Sequence, residues 1–320
     1  MPFSTPKFWY KKRGFKSYAL LPIAWVYQCA HKFVQSQKPT AHHSTIPVIC
    51  IGNAVAGGGG KTPTVIALIK LITAHKIAKN PFIISRGYGG NNLDSKRVNL
   101  EKHTAQDVGD EPIILAQHAP VIIGKDRKKS ADMAIDNGAD LIIMDDGFFN
   151  TSLHQNIKIL VVDRNMDFGN GFTIPAGPLR EPLKNILPKS NAIITIGPKF
   201  QSDLPVFETE LCPANHAPPN GDYVGFCAIG FPEKFKATLH KSDYNLVGWH
   251  EYPDHHHYTD QDIKKLLDEA KSKNARLITT EKDFVKIPAQ YKEMVDILYI
   301  TLEFKSPSDI ATYLKKELVK

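Results

Sequence analysis

One stretch restricts the fold more than any other: Pro47-Val-Ile-Cys-Ile-Gly-Asn-Ala-Val-Ala-Gly-Gly-Gly-Gly-Lys61-Thr62-Pro63. An apolar strand runs into a glycine-rich turn, then Lys-Thr, then the start of a helix. The consecutive glycines Gly57, Gly58, Gly59 and Gly60 let backbone N–H groups converge on an anion without interference from a Cβ. The helix N-terminus adds a favourable dipole. In this context the segment reads as a phosphate-binding loop, with Lys61 reaching the β and γ phosphates of ATP and the Thr62 hydroxyl ligating Mg2+. Pro63 stands in the first helical turn, where a missing N–H costs nothing. The strict pattern GxxxxGK[ST] asks for glycine where this chain has Val55, so the turn is expected to come from the four glycines that follow.

The surrounding pattern is strand, turn, helix. Short apolar runs at Pro47–Ile51, Phe82–Ser85, Val121–Gly124, Leu141–Met144, Ile159–Val162 and Ile193–Ile196 are expected strands, with helices at Thr62–His75 and Lys128–Asn137. Runs of β-branched residues alternating with helices indicate a parallel sheet buried on both faces. Residues 201–220 are rich in proline and polar residues and read as a linker or domain boundary. A second α/β series follows: strands Tyr223–Ile229, Tyr244–Trp249, Leu277–Thr280 and Ile297–Leu302, a helix Thr259–Lys273, and an amphipathic helix Pro307–Lys320. The expected organisation is an N-terminal interfacial segment (1–45), a phosphate-loop core (46–205), a smaller second α/β domain (206–304) and a C-terminal helix (305–320). The fold class is therefore α/β, a P-loop NTPase-type parallel sheet with a second, smaller α/β domain.

Charge is unevenly spread. The net charge is +7 over 320 residues, yet residues 1–93 carry 12 Lys or Arg and no Asp or Glu. Such a field attracts polyanions. Within it, Lys11-Lys12-Arg13 and Lys16 precede an apolar stretch, Tyr18–Ala30, that is interrupted by Pro22. A spanning helix needs about 20 apolar residues, so this stretch does not span. No small-residue cleavage site follows it, which argues against a signal peptide. Phe8, Trp9, Tyr10, Phe15, Tyr18, Trp25, Tyr27 and Phe33 interleave with lysines, a composition suited to a helix lying among lipid headgroups. A helix docked on the core with solvated lysines is the alternative. The four cysteines form no CxxC pair, which excludes a zinc ribbon and a disulfide scaffold.

A phosphate loop needs acidic partners. The strand ending at Asp145-Asp146-Gly147 places a carboxylate where a magnesium ligand belongs. Adjacent strand residues point to opposite faces, so Asp145 and Asp146 face one ion together only where the strand has ended. A second acidic pair, Asp110-Glu111, opens a helix. The run His255-His256-His257 is a weak metal signal, and His256 and His257 read as exposed loop residues.

Taken in order, GGGGKTP, Ser85-Arg86-Gly87-Tyr88-Gly89, Val108-Gly109-Asp110-Glu111-Pro112, Asp145-Asp146-Gly147, Pro175-Ala-Gly-Pro-Leu-Arg180-Glu181-Pro182, Tyr252-Pro-Asp254-His255-His256 and Thr279-Thr-Glu-Lys282-Asp283 resemble the tetraacyldisaccharide 4′-kinases, the lipid A kinases of Gram-negative bacteria. The resemblance runs from about Phe8 to Pro288. It implies ATP-dependent phosphorylation of the 4′-hydroxyl of a tetraacylated glucosamine disaccharide 1-phosphate, a lipid A precursor. It also implies an active site in the cleft between two α/β domains and peripheral attachment to the cytoplasmic face of the inner membrane. By motif position Asp110 resembles the residue that activates the acceptor hydroxyl and His255 its partner. Glu111, Asp145 and Asp146 resemble the acidic group around Mg2+, with Thr62, and Arg180 resembles a cleft arginine serving phosphates. Arg86 and Tyr88 are carried over as substrate-binding residues. A monomer is expected. The family commonly continues its second acidic motif as Asp-Asp-Gly-Leu-Gln-His; here Phe148-Phe149-Asn150 follow the glycine, and those positions receive no role.

Two other classes remain on sequence grounds. A regulatory or assembly GTPase usually carries an NKxD-type base-recognition sequence, which this chain lacks. A nucleic-acid-binding ATPase is suggested by the basic N-terminal third, but no nucleic-acid module appears and the basic residues are mixed with apolar ones better suited to lipid.

Overall fold

The computed structural model describes residues 6–36, 40–91, 94–214 and 221–319. A short 3-10 turn, Lys7–Tyr10, leads into helices α1 (Phe15–Ala19) and α2 (Leu21–Ser36). Then β1 (Val48–Asn53) feeds the glycine turn and α3 (Lys61–Ala74). The chain continues through β2 (Pro81–Ser85), β3 (Lys96–Arg97), α4 (Ala105–Val108), α5 (Asp110–Ala116), β4 (Val121–Ile123), α6 (Arg127–Asp136), β5 (Leu141–Asp145), β6 (Ile157–Asp163), α7 (Leu183–Ile186), β7 (Ala192–Ile196) and β8 (Val206–Pro213). A second series comprises β9 (Asp222–Cys227), α8 (Pro232–Lys241), β10 (Asn245–Glu251), α9 (Asp260–Ser272), β11 (Ala275–Thr280), α10 (Glu281–Phe284) and β12 (Val295–Leu298). Finally β13 (Ile300–Phe304) and α11 (Pro307–Leu318) close the chain.

Two sheets result. The larger has nine strands in the order β13-β8-β7-β6-β1-β5-β2-β4-β3 and the smaller has four, β10-β9-β11-β12. In the larger, β1 lies between β5 and β6 and is parallel to both, with Ile51 opposite Asp145. Helices cover both faces. On one, Val65, Leu68, Ile69 and Ile72 of α3 pack on Ile49, Ile51 and Ile143; on the other, Ala131 and Ala134 of α6 and Ile186 of α7 pack on Val48, Ile142 and Leu160. These strands are buried from end to end, as a sheet covered on both sides requires. The loops after β1, β5 and β2 gather at one end of the sheet, outside the carboxyl ends of its central strands, where α/β sheets place their ligands.

The smaller sheet is parallel throughout. Val224 and Phe226 of β9 face α9 through Ile263 and Leu266, while Tyr223 and Cys227 face α8 through Phe235 and Leu239.

The structure departs from expectation in how the two series are joined. The stretch 201–220 is not only a linker: Val206–Pro213 is a strand, parallel to β7 and antiparallel to β13; residues 215–220 of that stretch lie outside the described residues. The expected strand Ile297–Leu302 is broken at Tyr299, with β12 ending in the small sheet and β13 beginning in the large one. Strands 206–213 and 300–304, read as part of the second domain, therefore extend the first sheet. The C-terminal helix does the same: Ile310, Ala311 and Leu314 are buried in the core that α3 occupies.

Candidate active site

The glycine turn is built as an anion cradle. Gly57 and Gly60 have φ of 104° and 72°, the left-handed region that favours glycine. A Cβ on Gly60 would stand 2.1 Å from Ile196 Cδ1, and one on Gly59 2.1 Å from Asn53 Nδ2. Asn53 ends β1 beneath the loop and its Oδ1 accepts from Lys61 Nζ at 3.4 Å, holding the lysine over the turn. Thr62 and Pro63 occupy the first turn of α3 and are partly exposed.

Val55, at the strict glycine position, is buried among the strands of the second core face and makes an antiparallel bridge with Leu179. Ala56 N–H donates to Pro178 O at 2.8 Å and Arg180 N–H to Ala54 O at 3.0 Å. The Pro-Ala-Gly-Pro-Leu-Arg segment is thus zipped onto the phosphate loop, which sets Arg180 beside it. Arg180 Nη2 lies 3.5 Å and Lys61 Nζ 3.6 Å from the same oxygen, Asp146 Oδ2.

The two adjacent aspartates differ because the strand stops between them. Asp145 is the last residue of β5, fully enclosed, and its Oδ2 accepts from Ser85 Oγ at 3.1 Å. Its Oδ1 is buried with no hydrogen-bond partner. Burial, then the neighbouring Asp146 charge, pushes the Asp145 carboxyl up to about 6. Asp146 has φ of 50°, so its side chain turns out of the strand into the cleft. The cleft walls desolvate it, but the charges of Lys61 and Arg180 outweigh that and hold it below the usual carboxylate range.

A second cluster joins the two sheets. Gly109, with φ of 95°, caps α4 and opens α5, so Asp110 enters from a tight corner; a Cβ at Gly109 would stand 2.3 Å from Tyr88 O. Asp110 is 3% exposed. Its Oδ2 lies 3.2 Å from Nδ1 of His255, which comes from the loop after β10 and itself has φ of 61°. Burial raises the Asp110 carboxyl, but the His255 hydrogen bond and the Lys286 and Lys282 charges more than reverse this and hold it below its ordinary value. Tyr88 stands edge-on to the His255 ring at 5.5 Å. Arg86 is exposed one residue beyond β2 and Glu111 pairs with Lys282 Nζ at 3.1 Å. Burial would lower the Lys282 ammonium, but Glu111, then Asp254 and Asp110, keep it above its ordinary value.

The structure therefore brings Gly57–Gly60, Lys61, Thr62, Asp145, Asp146 and Arg180 to one end of the cleft and Asp110, Glu111, His255 and Tyr88 together in a second group. Lys282, from the Thr279-Thr-Glu-Lys282-Asp283 motif, lies among the cleft acids. Two features were not foreseen. Asp163, at the end of β6, is ion-paired with Lys234 of α8, a further link between the two sheets. Asn53 holds Lys61. His256 is not a loose loop residue: it stacks on Tyr252 and pairs with Asp262 at 3.1 Å, whereas His257 is exposed. Among the described residues no group of three His, Cys, Asp or Glu side chains forms a metal cage.

The residues after Asp146-Gly147 have structural work. Phe148 is buried against β1, where a Cβ on Gly52 would strike it at 2.5 Å. The Arg180 guanidinium lies over the Phe149 ring at 5.8 Å. Asn150 Oδ1 accepts from Ser152 N–H, Ser152 Oγ–H and Leu153 N–H, which fixes a turn.

Comparison with known proteins agrees with this geometry. The model of the LpxK family, tetraacyldisaccharide-1-P 4′-kinase, matches residues 16–319. The tetraacyldisaccharide 4′-kinase of Paramagnetospirillum magneticum is 38% identical over 95% of both chains, and that of Gluconobacter oxydans 36% identical over 94% of both. A crystal structure of the "apo" form of LpxK from Aquifex aeolicus in complex with ATP has the same fold, with a TM-score of 0.79 over 94% of this chain and 99% of that one at 24% identity. On the extent of these matches, and on the motifs assembled around the cleft, the chain belongs to the tetraacyldisaccharide 4′-kinase family.

Proposed function

We propose that this protein transfers the γ-phosphoryl group of ATP to the 4′-hydroxyl of a tetraacylated glucosamine disaccharide 1-phosphate, a step in lipid A biosynthesis. Family membership carries the reaction class, and the meeting of Asp110 and His255 across the cleft is the observation that carries the chemistry. The acceptor oxygen attacks the γ-phosphorus as the bond to the ADP oxygen breaks, and the hydroxyl proton passes to the Asp110–His255 pair. Little covalent work is left to the protein in such a transfer, so positioning and charge dominate. Backbone N–H groups of Gly57–Gly60 grip the phosphates, and Lys61 and Arg180 neutralise charge that builds up on them. Arg86 and Tyr88 line the acceptor side.

The acidic group fits Mg2+. Asp145 offers a buried oxygen with no other partner, Asp146 projects beside it, and Thr62 supplies a hydroxyl, with Glu111 adding charge nearby. A hard cation with few protein ligands keeps water and phosphate in its remaining positions. Bound there, it would supply electrostatic stabilisation of the phosphates.

The N-terminal helices suit a membrane surface. The face of α2 turned to the protein carries Ala24, Tyr27, Gln28, His31 and Gln35, with Gln28 donating to Thr173 Oγ1 at 2.8 Å and Gln35 to Phe149 O at 3.2 Å. The large apolar side chains of the segment point outward: Phe15, Tyr18, Ile23, Trp25, Val26, Phe33 and Val34 are each more than half exposed. Lys11, Lys12, Arg13 and Lys16 are exposed beside them. This inverted amphipathicity favours a helix whose outer face enters the headgroup region, and no helix among the described residues is long and apolar enough to cross a membrane. We place the protein as a peripheral monomer on the cytoplasmic face of the inner membrane of a Gram-negative bacterium, with no nucleic-acid partner.

Incubation with γ-labelled ATP and the disaccharide 1-phosphate tests the activity. Label is expected on the glycolipid; label released only as inorganic phosphate contradicts the proposal.

A further inference from the structure

We infer that Phe149 is a positioning residue: its ring is a shelf that sets the Arg180 guanidinium for the phosphates, and helix α2 holds that shelf in place. The inference rests on the kinase reading above and deepens it. The backbone of Arg180 is fixed by the bond from its N–H to Ala54 O at 3.0 Å, but a long, flexible stem separates that anchor from the charge. Two contacts act on the charge itself. Nη2 lies 3.5 Å from Asp146 Oδ2, an oxygen that Lys61 Nζ shares at 3.6 Å. The guanidinium carbon lies over the Phe149 ring, 5.8 Å from its centroid, within reach of a cation–π attraction.

The two contacts differ in what they consume. A guanidinium has five N–H donors and no acceptor. A carboxylate occupies donors, whereas a ring face attracts the charge and leaves the donors free for phosphate oxygens. When phosphates compete with Asp146 for Arg180, the ring contact is the one that persists.

The shelf is itself held. Phe149 stands edge-on to the buried Phe148 at 5.4 Å. Its carbonyl oxygen accepts from Gln35 Nε2 of α2 at 3.2 Å, and the His31 ring of α2 meets its ring edge-on at 6.2 Å. His31 also touches the residue after the arginine, with Nδ1 3.4 Å from Glu181 Oε1. Glu181 is 7% exposed, and its Oε2 accepts from Lys189 Nζ at 2.8 Å. One helix therefore grips both the ring under Arg180 and its chain neighbour. That helix turns its large apolar side chains outward, so the element suited to lipid is also part of the seat of the cleft arginine.

The test uses the full chain and the variants Phe149→Leu, which removes the ring, and Phe149→Tyr, which keeps it. In protein labelled with 15N-arginine, the Arg180 Nε–H resonance is identified by its loss in Arg180→Met. It is expected to shift in Phe149→Leu and to stay near its place in Phe149→Tyr. Turnover with ATP and the disaccharide 1-phosphate should fall about 3- to 10-fold in Phe149→Leu, the size of one cation–π contact, with KM for ATP within about twofold. Phe149→Tyr should keep most of the turnover. Added to Arg180→Met, Phe149→Leu should cost less than about twofold more, because the two residues act as one unit. His31→Leu, which loosens the shelf from α2, should move the same resonance and lower turnover without raising KM for ATP. A merely structural Phe149 lowers the melting temperature and costs as much turnover without Arg180 as with it; that result overturns the inference. So does an Arg180 resonance indifferent to Phe149→Leu, or an equal loss of turnover in Phe149→Tyr. An unmoved resonance in His31→Leu overturns the part given to α2. If the unaltered chain transfers no phosphate, the kinase reading falls and the resonance still tests the shelf. If it transfers and Phe149→Leu matches it, only the role of Phe149 falls.

Discussion

Val55 bridges the backbone of Leu179, and the next hydrogen bond of that pairing runs from Arg180 N–H to Ala54 O at 3.0 Å. The residue that departs from the strict phosphate-loop pattern is thus the one that brings the cleft arginine alongside the loop. Its side chain is a core residue, and the turn is made two residues later by glycines.

Arg180 shares Asp146 Oδ2 with Lys61, so its charge lies where phosphate oxygens would gather. Arg180→Met is expected to lower turnover by about 100-fold or more, on the scale of losing one donor to a developing anion. ATP affinity should change far less, because the glycine turn and Lys61 remain. Comparable losses in turnover and in ATP binding would contradict this placement.

Gly60 caps α3 in a left-handed conformation with no room for a methyl group. Gly60→Ala should cost about 1–2 kcal/mol of stability from backbone strain alone. Contact with Ile196 adds to that, and nucleotide affinity should fall with it. Thermal denaturation and titration with a fluorescent ATP analogue check both; an unchanged melting temperature would show that the turn is not held in this form.

The outward face of α2 predicts separable behaviour. Trp25 and Phe33 are 67% and 66% exposed, so replacing both by Glu should leave the melting temperature unchanged. If the face enters lipid, each lost side chain removes about 1.5–3 kcal/mol of burial, and partitioning onto phosphatidylglycerol vesicles should fall at least tenfold. Equal sedimentation of the variant and the unaltered chain with vesicles would argue for a helix that only docks on the core.

Acid should act through Asp110. Its folded-state carboxyl titrates below the unfolded value, so the stability it contributes is fully present above about pH 4 and is lost as pH falls through the folded value. Between pH 6 and pH 3 the urea midpoint of the unaltered chain should drop further than that of Asp110→Asn. Parallel loss in both would place the acid sensitivity elsewhere.

Much of this architecture was readable from residue order. Buried parallel strands such as Pro81–Ser85 and Leu141–Asp145 announce themselves as unbroken apolar runs, and the glycine turn with Lys-Thr has few other uses. The joining strands were not readable. In Val206–Pro213 only Thr209 is buried, Glu208 and Glu210 face outward, and proline closes the strand, so its pattern resembles a polar linker. At Tyr299 the chain changes sheets without a turn residue to mark it. Within the site, Asp110 and His255 lie 145 positions apart, and only the motif resemblance linked them. Lys282 was marked only by its place in the Thr279-Thr-Glu-Lys282-Asp283 motif, because a lysine near a strand end is ordinarily solvated; its setting depends on acidic groups contributed by two other segments.

The central claim is that Asp110 and His255 act as one unit formed across the cleft. A double-mutant cycle on turnover, with Asp110→Asn, His255→Ala and the pair combined, tests it most directly. Residues that act together are strongly non-additive, so the combined variant is expected to be no more than about twofold slower than the worse single variant, with ATP binding intact in all three. Losses that multiply, or His255→Ala weakening ATP binding as much as turnover, would contradict the account.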